Sequence, residues 1–231
     1  MFAQERSYKG KSYLDLSAGA STGKFSSALS WSYKSKLIKR LPNLQVGFGI
    51  RYTTFIASNK FYVTAPAKYT SSVQNLGTIF SKTIEANIDT ITTPTANTNS
   101  LNIAIYIEYS IGKKIDVGFN IDAFGFSFGP AKTFNVISSS FDANQSPIQT
   151  GSPTRLNLLL TSDNDIGSLN SEFFARYWLN KKIALRGGIS FLFSEYRLDN
   201  KLSFDGGRIM NDRYRHKAAI AIMGITYKLF K

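Results

Sequence analysis

The chain has 231 residues, 28 Lys and Arg against 15 Asp and Glu for a formal net charge of +13, 43% hydrophobic and 14% aromatic residues, and no cysteine. That balance is too apolar for a disordered chain, and the missing cysteine excludes a disulfide scaffold, a thiolate zinc site and a cysteine nucleophile. No apolar run approaches the roughly 18 residues of a membrane-spanning helix, and the basic excess alone does not say where its charges sit.

At the head of the segment 1–12, Met1-Phe2-Ala3-Gln4 carries no basic leader and no apolar signal-type stretch, yet Phe2-Ala3-Gln4 resembles the end of a signal peptide. This segment is expected to be a processed N-terminal piece ahead of a single domain, 13–231. Period-two alternation then sets in. Leu14, Leu16, Ala18 and Ala20 oppose Tyr13, Asp15, Ser17 and Gly19, and after a Ser-Thr-Gly turn Leu29, Trp31 and Tyr33 oppose Ala28, Ser30 and Ser32. Residues 44–53 set Leu44, Val46, Phe48, Ile50 and Tyr52 against Gln45, Gly47, Gly49, Arg51 and Thr53, and residues 101–110 set Leu101, Ile103, Ile105, Ile107 and Tyr109 against polar partners that include Glu108. Ile115, Val117, Phe119 and Ile121 oppose Asp116, Gly118, Asn120 and Asp122. Phe124, Phe126 and Phe128 then break phase, which predicts a bulge near Asp122. Phe173, Ala175, Tyr177 and Leu179 oppose Glu172, Arg176 and Trp178; Ile183, Leu185, Ile189, Phe191 and Phe193 oppose Arg186 and Ser190; the last copy carries Ala221, Met223, Ile225, Tyr227 and Leu229. Eight half-buried strands are predicted.

The polar face of these strands holds Gly, Ser and Asn with isolated charges of both signs, whereas a solvated strand surface gains nothing from Gly. Large apolar side chains outside and a compact charged interior mark an all-β, eight-stranded antiparallel up-and-down transmembrane β-barrel. Asp15, Arg51, Glu108, Asp116, Asp122, Glu172, Arg176 and Arg186 are then expected to form an ion-pair network filling a lumen too narrow for a channel. Connections 34–43, 112–114 and 180–182 are short, while 56–100, 127–168 and 195–213 are expected to be long extracellular loops, with a short helix possible in the first from the spacing of Leu76, Ile79, Phe80, Ile84 and Ile88. Both termini then face the periplasm, placing the protein in the cell outer membrane. Lys34, Lys36, Lys39, Arg40, Lys113, Lys114, Lys181, Lys182, Lys228 and Lys231, with Arg6, Lys9 and Lys11, map to the periplasmic rim; Arg197, Lys201, Arg208, Arg213, Arg215 and Lys217 map to the other. Lipid and glycolipid headgroups are the expected partners of both rims, and the split between two ends argues against nucleic acid.

The eight-strand pattern, the stretches VGFNIDAFGFSFG at 117–129 and GSLNSEFFARYW at 167–178, and the ending GITYKLF at 224–230 resemble the Bacteroidota outer-membrane β-barrel families, small barrels similar in architecture to OmpA, OmpX and PorT-like proteins. The resemblance implies fold and location rather than activity. It also implies a terminal assembly signal at Gly224, Tyr227, Leu229 and Phe230 for the barrel-assembly machinery, departing from the pattern at Ile222 and at Lys231.

For chemistry, the single histidine His216 could meet Ser190 or Ser194, with Glu195 orienting the ring, as in a lipid A-modifying enzyme. No G-x-S-x-G segment, metal-ligand spacing or phosphate loop accompanies it, so no catalytic residue, metal or cofactor is expected. The preferred reading is a structural or accessory subunit of a larger outer-membrane complex in secretion, uptake or barrel assembly. The alternative is a stand-alone barrel that binds lipid or a hydrophobic ligand.

Overall fold

The computed structural model describes residues 10–36, 40–70, 87–139, 141–160 and 164–229. Its strands are β1 (Lys11–Ser21), β2 (Lys24–Lys36), β3 (Leu44–Thr64), β4 (Thr90–Ile111), β5 (Ile115–Phe128), β6 (Lys132–Val136), β7 (Ile148–Pro153), β8 (Leu156–Leu158), β9 (Asn170–Trp178), β10 (Ile183–Phe204) and β11 (Ile209–Lys228), with one helical turn, α1 (Ala67–Thr70), after β3. Eight of them, in the order β1, β2, β3, β4, β5, β9, β10, β11, pair antiparallel around a ring that β11 closes on β1. Closure leaves no unpaired edge, the condition for a sheet to cross hydrocarbon.

Alternation in this ring is inside-out. Leu16 is 60% exposed beside Asp15 at 1%, and Phe48 is 55% exposed three residues from Arg51 at 1%. Glycine on the inner face makes room: a Cβ at Gly118 would stand 2.6 Å from the Phe174 ring, which lies across it inside the lumen. Strand β5 keeps its apolar face outward past the phase break. Ile103 pairs with Phe124 but Ala104 with Asp122, so Ala123 is the extra residue of a bulge, and Phe124, Phe126 and Phe128 all face out.

Strand lengths divide the molecule. β1, β2, β5 and β9 have 11, 13, 14 and 9 residues, close to the roughly 9–11 that a tilted strand needs to cross a bilayer. β3, β4, β10 and β11 have 21, 22, 22 and 20, about twice that requirement. The excess projects beyond the apolar belt as a second closed ring. There β4 pairs with β6, β6 with β7 and β7 with β10, and β11 reaches across to β3 at Tyr214↔Thr64 and Arg215↔Val63, over the top of the short β1–β2 hairpin.

This corrects the expected loops. Much of 56–100 is β3 and β4, 127–168 contains the end of β5 with β6, β7 and β8, and 195–213 is largely the β10–β11 hairpin, turned at Asp205–Gly207 with Gly206 and Gly207 at φ 64° and 92°. The pattern hides these strands because it changes phase. Asn59 sits at φ 51°, in the left-handed region that Asn tolerates, opposite Pro94, between the pairs Ser58↔Thr95 and Lys60↔Thr93. Below this kink Phe55 and Ala57 point inward, and above it Tyr62 and Thr64 do. Of the expected helix at 76–88, residues 76–86 lie outside the described residues.

The projecting ring has an ordinary buried core. Phe55, Tyr62, Ile91, Phe134, Leu192, Tyr196, Leu198, Phe204, Ile209 and Tyr214 form one cluster inside it. Its centre is a triangle of rings, with Tyr62, Phe134 and Tyr196 at 5.1 to 5.8 Å and edge-on to one another. The Tyr196 hydroxyl donates to the Asn97 carbonyl at 3.0 Å. Burial and the nearby Asp89 carboxylate raise the Tyr214 hydroxyl well above the usual tyrosine range, so it stays protonated in this core.

Candidate functional site

The lumen of the eight-stranded ring holds a single chain of charges of alternating sign. Lys34 Nζ donates to Glu108 at 2.7 Å, Glu108 also accepts from Arg176 Nη1, and Arg176 Nη2 donates to Asp15 at 3.0 Å. Asp15 meets Arg186 at 3.8 Å, Arg186 donates to Glu172, Glu172 meets Arg51 at 3.3 Å, and Arg51 donates to Asp122 through Nε at 3.0 Å and Nη2 at 2.6 Å. Four cations and four carboxylates, each at most 3% exposed, thus neutralise one another. They come from β1, β2, β3, β4, β5, β9 and β10, and β11 adds Thr226, whose hydroxyl donates to Asp15 and accepts Arg176 Nε at 2.8 Å. Every strand of the ring contributes.

Amides and rings complete the packing. Asn102 donates to Asp122 at 2.8 Å and Asn120 to Glu172 at 3.0 Å. The Phe174 ring faces the guanidinium groups of Arg176 and Arg186 at 4.7 and 4.0 Å, and the Tyr13 ring faces Lys34 Nζ at 4.0 Å. An unpaired charge in such a place would cost several kcal/mol, and the alternating chain removes that cost by giving each group opposite charge on its neighbours. Where the charged lumen meets the apolar core of the second ring, Thr53, Phe55, Thr98, Leu169 and Ser194 close around a void of about 10 Å3, at the lower limit for one water.

Within the lower ring two of the expected assignments change. Asp116 lies apart from the chain of ion pairs, its Oδ2 accepting the Trp178 indole N–H at 2.6 Å near the short-turn mouth. Lys34, expected on a turn, is fully buried and takes the place at the end of the chain, because β2 continues to Lys36 and Lys34 shares the inward face with Ser30 and Ser32. The phase of that strand was the signal for it.

The two ends differ. At the short-turn end, Lys113 and Lys114 on the β4–β5 turn and Lys181 and Lys182 on the β9–β10 turn are exposed. With Lys11 and Lys228 they surround a concavity of about 670 Å3 whose walls include Tyr13, Gln45 and Trp178. At the long-loop end, Lys217 is exposed beside the Phe193 ring, but Arg213 and Arg215 are not headgroup-facing residues. Arg215 is 2% exposed and donates to Glu195 Oε2 at 2.9 Å; Arg213 grips both oxygens of the same carboxylate at 2.8 and 3.0 Å, and both arginines donate to the Asp165 carbonyl. The segment leading from β8 into β9 covers this cluster on the outer face of the wall, bonding Ser168 Oγ to the Glu195 N–H and Leu169 O to the Phe193 N–H. Gly224, Tyr227 and Leu229 lie at the end of β11 and just beyond it. Phe230, Arg6, Lys9, Lys39 and Lys231 lie outside the described residues.

Serine and histidine are not assembled into a triad. His216 Nδ1 bonds the Phe61 carbonyl at 2.9 Å and its ring stacks on Phe55, while Ser194 Oγ bonds Thr98 Oγ1 at 2.9 Å and the Tyr62 hydroxyl at 3.4 Å. Ser190 donates to Asn170 at 2.7 Å, and Glu195 is held by the two arginines. Among the described residues no group of three or more His, Asp or Glu side chains is placed to hold a metal ion.

A closed ring with an apolar outside and a charged, filled inside defines an outer-membrane-type transmembrane β-barrel. No family model and no curated protein matches the sequence. Among solved structures the chain is similar to Neisserial surface protein A, with 10% identity and a TM-score of 0.37 over 95% of this chain and 96% of that one. It is also similar to a major outer membrane protein from Thermus thermophilus, with 12% identity and a TM-score of 0.43 over 96% of this chain and 100% of that one.

Proposed function

We propose that this chain is a non-conducting, non-enzymatic barrel that serves as a structural or accessory subunit of a larger outer-membrane complex, with the short-turn end and both termini in the periplasm. The observation that carries the reading is the lumen. Its eight alternating charges, all buried, reach across the lumen from seven strands of the ring, and the apolar core of the second ring lies across the same axis among the described residues. What remains to act with is surface: a rigid projecting barrel at one end and a lysine-lined mouth at the other. Gly224, Tyr227, Leu229 and Phe230 would present the terminal strand to the barrel-assembly machinery during insertion, and lipid and glycolipid surround the wall.

Affinity purification in mild detergent tests this reading. Stoichiometric partners are expected, and a lone heat-modifiable band in every detergent would sink the accessory role. Planar-bilayer recordings should show no steady conductance. A second reading, a stand-alone barrel in contact with a lipid chain or other hydrophobic ligand, draws on an apolar depression of about 600 Å3 in the outer wall, where Gly187 and Ala175 lie low between Ile107, Phe119, Phe173 and Ile189. Co-purification of lipid without protein would favour it.

A further inference from the structure

The short-turn mouth differs from the rest of the molecule in charge. Among the described residues, the carboxylate side chains belong either to inward-facing positions of the ring or to the long-loop half, and the sequence of connections 37–43, 112–114 and 180–182 contains none. The eight-charge chain below the mouth is neutral as a whole, so it does not offset the lysines above it. Lys11, Lys113, Lys114, Lys181, Lys182 and Lys228 line a concavity of about 670 Å3 in which, among the described lining residues, Asp116 is the one carboxylate side chain, and that carboxylate is engaged by Trp178. Its walls are also apolar and aromatic, with the Tyr13 and Trp178 rings 6.1 Å apart.

From this we infer that the mouth is a docking cup for an acidic peptide segment of a periplasmic partner, an inference that rests on the accessory-subunit reading and names the chemistry of its contact. The volume is in the range of pockets that enclose a compact ligand or a few residues of peptide, and lysines around a concave wall concentrate field on an entering anion. Lipid headgroups line the outer perimeter of the wall, at the ends of the apolar belt, whereas the cup opens inside that perimeter along the barrel axis.

The test uses the full chain in nanodiscs of zwitterionic lipid. The sequence has two tryptophans, so Trp31→Phe leaves Trp178 in the cup as the reporter. A short glutamate-rich peptide should change its emission saturably, and the same peptide with glutamine for glutamate should not. Replacing Lys113, Lys114, Lys181 and Lys182 together by Gln should weaken binding about tenfold or more, as should raising salt from about 0.05 to about 0.5 M; retained heat-modifiable mobility shows that this variant still folds. Equal binding by the glutamine peptide, undiminished binding to the four-lysine variant, or loss of the peptide signal when phosphatidylglycerol is added to the disc would overturn the proposal, the last by assigning the cup to lipid. A partner recovered equally by wild type and the four-lysine variant would remove the cup and leave the accessory role standing. Peptide binding with no partner in any purification would do the reverse.

Discussion

The two stacked rings of this molecule solve the same packing problem with opposite chemistry. In the eight-stranded ring Ile105 and Phe173 face outward and Arg51 and Glu172 are buried; in the six-stranded ring Phe134 and Tyr196 are buried and Thr133 and Thr150 face outward. Strands β3, β4, β10 and β11 take part in both, so four continuous strands reverse their polarity partway along. The solvent dictates the reversal. Against hydrocarbon an apolar exterior is the neutral choice and an interior can be held by paired charge; against water the apolar groups must go inside. The lower ring therefore depends on charge matching and the upper on apolar burial.

That contrast can be broken from either side. The largest effect is expected from Arg176→Ala, which leaves Asp15 and Glu108 facing each other without their shared cation; about 4 kcal/mol of stability should be lost, seen as a lowered unfolding midpoint in urea on lipid vesicles. Phe134→Ala should cost about 3 kcal/mol, but locally. Limited proteolysis should then open the projecting ring while heat-modifiable mobility of the lower ring persists, and simultaneous loss of both would show that the rings form one cooperative unit. Ile105→Arg, on the lipid-facing wall, should cost about 2 to 3 kcal/mol, against at most about 0.5 kcal/mol for Thr150→Arg on the outer face of the projecting ring. Similar values for the two would contradict the assignment of one wall to lipid and the other to water. Asn59→Val, which forces a branched side chain into the left-handed region at the kink, should cost about 1 to 2 kcal/mol, measured in the same vesicle assay.

The lower ring was legible because its period is unbroken and inverted. From Leu44 to Tyr52, from Leu101 to Tyr109 and from Phe173 to Leu179 every second residue is apolar, and all of these but Ala175 are large; what alternates with them includes isolated charges that only a closed interior can hold. Seven of the eight members of the charge chain were readable from that phase alone. Lys34 was hidden by its place next to a basic turn, and Asp116 is drawn instead to an indole from the neighbouring strand. The upper ring was not legible. Asn59 and Pro94 interrupt the period, the outward residues beyond them mix Phe61 and Val63 on β3 with Thr90 and Thr92 on β4 and so show no uniform face, and two of its six strands, β6 and β7, are only 5 and 6 residues long. Glu195 likewise looked available to His216, but a segment nearly thirty residues earlier in the chain buries it against Arg213 and Arg215.

By itself the sequence determined that the chain is an inside-out barrel of eight strands, and which charges face inward, because side-chain direction along a strand is a local property with a fixed period of two. Only the tertiary structure decided the order in which those charges pair, the second closure of β11 on β3, and the burial of Arg215. Each of these joins residues remote in the chain, and which of several possible partners a charge or an edge meets is set by strand register and ring closure rather than by any spacing along the sequence.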